Sequence, residues 1–90
     1  GGAWFRSPPA AGTTGAEVHV GVEDPFRAAG KAHPAFVLGD VAALEAAGER
    51  LESLGFAVDR SERHTFPGFT RFHCFDGQGG RGNRVELLAR

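Results

Sequence analysis

Hydrophobic and polar residues define two short strands near the start of the chain. Residues 3–6 form an aromatic run that stops at Ser7-Pro8-Pro9, because proline has no backbone N–H to donate to a ladder. Residues 16–22 alternate strictly, which predicts a half-buried strand whose polar face carries Glu17. A flexible turn through Gly15 connects the two segments, so we expect a β-hairpin.

After a linker, the pattern changes to a strand followed by a helix. Residues 32–38 are apolar except for His33, and Pro34 argues for a sheet edge or a strand start. Asp40 is a suitable N-cap, and Gly55 is a suitable C-terminal stop. Between them, apolar positions recur at steps of three and four, which predicts an amphipathic helix packed on a sheet through Val41, Leu44, Gly48, Leu51 and Leu54.

Three further strands follow, separated by loops rich in polar residues and glycine. They are expected at residues 56–59, 69–75 and 83–89, with loops at 60–68 and 76–82.

The order of these elements predicts an α+β fold in one 90-residue domain. Residues 32–90 form a complete βαβββ module, residues 25–31 are a linker, and residues 1–24 hold two strands of a partial first module. The chain does not begin with Met, and we expect the opening strand and helix of the first module to be missing from it.

Composition narrows the range of functions. A hydrophobic content of 41%, a charged content of 23% and a formal net charge of -1 are ordinary for a soluble globular domain, and no basic stripe suggests nucleic acid. Cys74 is a lone cysteine, which favours a reducing, cytoplasmic setting, and neither a membrane span nor a secretory signal is present. A core this small would gain stability from a second copy.

Two polar residues interrupt apolar strands and are the candidates for chemistry. Glu86 lies in Val85-Glu86-Leu87, where a buried unpaired carboxylate would be costly, so it needs a cation, a hydrogen-bond partner or a solvated face. His33 interrupts the earlier strand in the same way. We interpret the pair as metal ligands. The alternatives are a core histidine bonded to a carbonyl, and a glutamate on a solvated edge paired with an arginine.

Other candidates have simpler explanations. Strict alternation explains Glu17 as part of an exposed strand face. His73 and Cys74 are strand neighbours that point to opposite faces, so they cannot form a nucleophile and base pair, and Cys74 is expected to be buried packing. The loop glycines 77, 79 and 82 match a dinucleotide-binding spacing, but they lie between two strands and not before a helix.

The order of elements, with His in the first strand of a module and Glu in the last, resembles the vicinal oxygen chelate superfamily of glyoxalase I, bleomycin-resistance proteins and extradiol dioxygenases. The matching stretches are His33-Pro34-Ala35-Phe36-Val37, residues 39–44 and Gly82-Asn83-Arg84-Val85-Glu86-Leu87-Leu88. Asp76 also matches the family pattern, although the turn between it and Gly82 is longer than usual.

This resemblance implies a curved mixed sheet that forms a cup around a divalent metal with open coordination positions. By position, the implied ligands are His33, Glu86 and Glu17, whereas the ligand of the first module's opening strand has no counterpart. Such a shell suits zinc, nickel, manganese or iron. A substrate with two adjacent oxygens would take the open positions, Glu17 or Glu86 could serve as the base, and Arg71, Arg84 and Phe72 would contact the substrate.

Three functions follow from these expectations. The first is a metal-dependent lyase, isomerase or dioxygenase acting on a small oxygenated molecule. The second is a metal-free binding protein similar to bleomycin-resistance proteins, which would hold an antibiotic in an apolar groove. The third is a degenerate module that dimerises. An unpaired sheet edge would favour a homodimer, with strand exchange as one route to it.

Overall fold

The computed structural model describes residues 1–9 and 15–90 of the chain. Its strands and helices are β1 (Gly2–Arg6), β2 (Glu17–Gly21), β3 (Ala35–Val37), α1 (Val41–Ser53), β4 (Val58–Asp59), β5 (Thr70–Phe75) and β6 (Arg84–Ala89), with a 3-10 turn at Gln78–Gly80. The turn predicted between the first two strands falls mainly on residues 10–14, which lie outside the described residues. Within the described part, no helix is long and apolar enough to cross a membrane.

The predicted hairpin is present as a two-stranded antiparallel sheet of β1 and β2. One face is apolar and includes Phe5 and Val18, which are directly paired. On the other face, Trp4 stacks on His19 with ring centroids 4.2 Å apart. Strict alternation therefore gives the hairpin two chemically different faces.

The second sheet has four strands in the order β3-β6-β5-β4. β3 runs parallel to β6, and the other pairs are antiparallel, so the sheet is mixed. β3 lies at an edge, as Pro34 indicated, but it is shorter than predicted and begins only at Ala35. The backbone N–H of Glu86 donates to the Pro34 carbonyl at 2.9 Å, which holds the residues just before β3 against β6.

Helix α1 covers one face of this sheet. Asp40 caps it as predicted, since its Oδ1 accepts the Ala43 N–H at 2.7 Å, and Gly55 follows the C-cap with φ of +89°. Leu44 is fully buried, whereas Leu54, predicted to be buried, is 54% exposed because it follows the last helical residue.

The core lies between α1 and the inner face of β5 and β6. Phe72 and Cys74 pack there with Leu44 and Ala89, and the buried Cys74 agrees with expectation. The prediction that Phe72 contacts substrate is wrong in this structure. It is 2% exposed beneath the helix, because successive side chains of β5 point to opposite faces of the sheet.

The loop between β5 and β6 is closed by the motif recognised in the sequence. The Asp76 carboxylate accepts hydrogen bonds from the backbone N–H and the side-chain amide of Asn83, at 2.7 and 2.8 Å. Gly82 has φ of +88°, and a Cβ there would collide with the Asp76 carboxylate. Aspartate, glycine and asparagine thus fix where β6 begins, and with it the position of Glu86.

Candidate metal centre

Three potential metal-binding side chains from different parts of the four-stranded sheet converge on its open face. His33 lies just before β3, His73 lies in β5, and Glu86 lies in β6. The register pairs His73 directly with Glu86, while Ala35 on the other side also neighbours Glu86. Ligand atoms of these three side chains lie within 4.8 Å of one another, and no other such group occurs among the residues described.

The contacts meet at a single carboxylate oxygen. His33 Nε2 lies 3.0 Å from Glu86 Oε1, and His73 Nε2 lies 3.3 Å from the same atom. The two imidazole rings are nearly perpendicular, with centroids 5.2 Å apart. Glu86 is 6% exposed, so this carboxylate is almost completely removed from water.

The hydrogen bonds of His33 indicate that either a proton or a metal ion lies between its Nε2 and Glu86. Its Nδ1 lies 2.7 Å from the Lys31 carbonyl oxygen, which can only accept, so the network assigns the proton to Nδ1. In neutral His33, Nε2 then presents a lone pair to the carboxylate 3.0 Å away. That arrangement is repulsive unless a proton or a metal ion bridges the two atoms.

The same geometry is the one expected of a histidine ligand. Histidines that bind metals usually donate their other ring N–H to a carbonyl or a carboxylate, which fixes the ring orientation. Two imidazole nitrogens and one carboxylate also form a donor set suited to zinc and to other first-row transition metals. The residues therefore fit a divalent metal, with coordination positions left for other ligands.

The pKa values of His33 and Glu86 reflect this pairing. The Lys31 carbonyl and the Glu86 carboxylate raise the pKa of His33 above its ordinary value of 6.5. Burial would raise the pKa of Glu86, but hydrogen bonds from His33 and Arg71 outweigh burial and lower that pKa below 4.5. Glu86 therefore stays ionised at neutral pH, as a metal ligand must.

A guanidinium holds the second oxygen of Glu86. Arg71 Nη1 lies 3.4 Å from Glu86 Oε2, while the rest of the Arg71 side chain binds Glu62 and Thr65. Oε1 is thereby left to the two histidines. Arg71 was predicted to contact substrate, but most of its side-chain N–H groups bind other residues of the chain.

A cavity of about 390 Å³ opens beside these side chains. Its lining is mostly polar, and it includes the three candidate ligands together with Lys31, Asp59, Ser61, Glu62, Arg71, Phe75 and Arg84. Among the described residues, Arg84 makes no hydrogen bond or ion pair with a carboxylate, although it was predicted to orient an anionic substrate. Its guanidinium is therefore available to a ligand.

The structure brings His33 and Glu86 together as expected, but it does not bring Glu17 to them. Glu17 Oε1 pairs with Arg6 Nε at 2.7 Å, and both side chains are largely exposed. Glu17 and Val18 point to opposite faces of the hairpin. Val18 lines a cleft together with Phe36 of the four-stranded sheet. Since Phe36 and Glu86 lie on opposite faces of the sheet, Glu17 points away from the cluster.

His73 is the functional candidate that sequence reasoning missed. It was considered only as a partner of Cys74, and the inference that these two point to opposite faces was correct. The signal that could have identified it was the hairpin register. Pairing Phe75 with Arg84 across the glycine loop necessarily places His73 opposite Glu86.

Comparisons with known proteins agree with this architecture. The family model of the Glyoxalase/Bleomycin resistance protein/Dioxygenase superfamily matches residues 1–87. The crystal structure of a protein from Bacillus anthracis assigned to the glyoxalase family superposes with a TM-score of 0.69 at 32% sequence identity. The match covers 100% of this chain and 62% of that one. A comparison with curated proteins gives no match. The strand-helix-strand order, the mixed sheet and the family match together place this chain in the glyoxalase, bleomycin resistance protein and dioxygenase superfamily.

Proposed function

We propose that the chain is part of a metal-dependent enzyme, a lyase, isomerase or dioxygenase, in which His33, His73 and Glu86 hold a divalent metal. The observation that carries the proposal is the approach of two imidazole Nε2 atoms to one buried carboxylate oxygen. The orientation of His33 by the Lys31 carbonyl supports it further. Zinc, nickel, manganese and iron are all compatible with these donors.

The metal would act as a Lewis acid toward a small substrate that offers two adjacent oxygens. Within the chain, Glu86 suits the role of ligand better than that of general base, because its lowered pKa makes it a weak proton acceptor. Glu17 has no role in the proposal for a single chain, since it is ion-paired with Arg6 on the hairpin.

With a divalent metal bound, the charge around the cavity would favour an anionic substrate. Apart from the histidines, the lining has three cationic and three anionic side chains, namely Lys31, Arg71 and Arg84 against Asp59, Glu62 and Glu86. These formal charges cancel, so a bound divalent metal would make the site positive. Arg84 is the side chain best placed to bind a carboxylate of the substrate, because it has no carboxylate partner of its own among the described residues.

Metal titration tests the proposal directly. Protein stripped with a chelator and then dialysed is titrated with Zn²⁺ or Co²⁺ in a calorimeter, for the unchanged chain and for H33A and E86A. We expect stoichiometric binding that both substitutions abolish or greatly weaken, while H19A, which alters an exposed histidine stacked on Trp4, leaves it unchanged. Equal metal binding by all four proteins would refute the assignment.

A second candidate function is metal-free binding of an apolar small molecule. A cleft of about 610 Å³ lies between the hairpin and the sheet, and its apolar lining includes Phe5, Val18, Val20, Pro34 and Phe36. Such a cleft favours a sequestering role similar to that of bleomycin-resistance proteins. Calorimetric titration with aromatic or glycopeptide drugs in excess chelator distinguishes the two functions, since only the binding protein would retain affinity without metal.

A homodimer stays part of the proposal. β3 is an edge strand of the sheet, and Val37 on it is largely exposed. An exposed edge can pair with another copy of the chain. Sedimentation equilibrium of the purified protein would measure the association, and a strictly monomeric mass at micromolar concentration would refute it.

A further inference from the structure

Arg71 contacts two parts of the chain that are remote from each other in sequence. On one side, its Nη1 approaches Oε2 of Glu86 at 3.4 Å. On the other, it holds the β4–β5 connection, residues 60–69. Nε donates to the Glu62 carbonyl at 3.2 Å, and Nη2 donates to the Glu62 carboxylate at 3.2 Å and to Thr65 Oγ1 at 2.8 Å.

Further contacts fasten the same connection to Arg71. Its backbone N–H donates to the Arg63 carbonyl at 3.1 Å, and its guanidinium lies 5.6 Å from the centroid of the Phe66 ring. The side-chain hydrogen bonds of Arg71 to Glu62, Thr65 and Glu86 use four of its five side-chain N–H groups. Little donor capacity is therefore left for a substrate.

We infer that Arg71 is a positioning residue that fixes the Glu86 carboxylate and links the order of the β4–β5 connection to the metal centre; this inference rests on the proposed function. By occupying Oε2, Arg71 leaves Oε1 facing His33 and His73. A planar guanidinium can bind two carboxylates at once, whereas a lysine ammonium is a single point charge on a flexible stem. Lysine at this position would therefore keep the charge and lose the link.

The first test measures metal affinity and ligand geometry. R71K and R71M are titrated with Co²⁺, whose visible absorption reports its ligand environment. We expect a dissociation constant for Co²⁺ that is about 10–100-fold larger than that of the unchanged chain, which is the usual effect of losing a residue that orients a metal ligand. We also expect an altered cobalt spectrum. R60M is the matched control, because Arg60 pairs with Glu52 instead of Glu86 and its loss should change neither quantity.

Circular dichroism and thermal unfolding show whether each variant folds. If R71M fails to fold, R71K, which keeps the positive charge, decides the question. Cobalt affinity and a cobalt spectrum identical to those of the unchanged chain would overturn the positioning role. Failure of the unchanged chain to bind Co²⁺ would instead overturn the proposed function, and the metal half of this inference with it.

The second test needs no metal. Hydrogen exchange is measured in chelator for the unchanged chain and for E86Q. If Arg71 couples the two regions, removing the charge of Glu86 accelerates amide exchange across residues 61–66 by several-fold more than in β5 and β6, which report overall stability. Equal acceleration in all three regions, or none in residues 61–66, would overturn the link independently of any metal.

Discussion

Neutralising Glu86 should measurably destabilise the metal-free protein. The carboxylate has three cationic or potentially cationic neighbours, His33, His73 and Arg71, at 3.0, 3.3 and 3.4 Å. Hydrogen bonds to a charged group contribute about 1.5–3 kcal/mol and neutral ones about 0.5–1.5 kcal/mol, so E86Q should lose about 1 kcal/mol at each of the hydrogen-bonded neighbours His33 and Arg71. We expect a loss of about the same size at His73, which lies at ion-pair distance from the carboxylate. Relief of the burial penalty of the carboxylate opposes part of that sum, which leaves a net loss of about 2 kcal/mol.

The loss should depend on pH in a defined way. Because the folded pKa of Glu86 is lowered, its contribution is present above its ordinary value of 4.5 and disappears as pH falls through the lowered pKa. Because the folded pKa of His33 is raised, its contribution is present below 6.5 and disappears as pH rises through the raised pKa. Both are complete between pH 4.5 and 6.5, so the difference between E86Q and the unchanged chain should be largest there.

Thermal unfolding in chelator, followed by circular dichroism from pH 4 to 8.5, measures this difference. For a domain of this size, about 2 kcal/mol corresponds to a decrease of about 8–16 °C in Tm. E49Q, which removes an exposed helix carboxylate without a partner among the described residues, should change Tm very little at any pH. A Tm difference for E86Q that is absent, or that stays constant across this pH range, would refute the electrostatic reasoning.

Three further predictions concern single positions. H73A should weaken Zn²⁺ binding at least as much as H33A in calorimetric titration. H64A, which changes an exposed histidine of the β4–β5 connection, should leave Zn²⁺ binding unchanged. Full affinity in H73A would show that His73 is not a metal ligand. G82A should lower the free energy of unfolding by about 1–3 kcal/mol in urea titration because it forces a side chain into the left-handed region, whereas G39A, which has open space around it, should not. F72A should cost about 3–5 kcal/mol in the same measurement through the cavity it leaves; a stable variant would show that the Phe72 ring is not core.

Local pattern alone determined most of the secondary structure. Asp40 and Gly55 bounded the helix because capping depends on neighbouring backbone groups only. Alternation predicted the hairpin and its polar face, and Pro34 indicated an edge strand because the missing N–H is a local property. The two apolar strands interrupted by His33 and Glu86 also stood out, since burying either group alone is costly.

Only the tertiary structure decided which side chains share a face. His73 lies in the candidate centre, Phe72 lies in the core, and Glu17 lies on the separate hairpin. All three residues belong to predicted strands, so the strand pattern alone did not distinguish them. The physical reason is that strand register depends on pairing between residues far apart in sequence, and a shift of one residue exchanges the two faces. Arg71 illustrates the same point: its residue type suggested substrate binding, whereas its contacts with Glu62 and Glu86 became apparent only once the strands were paired.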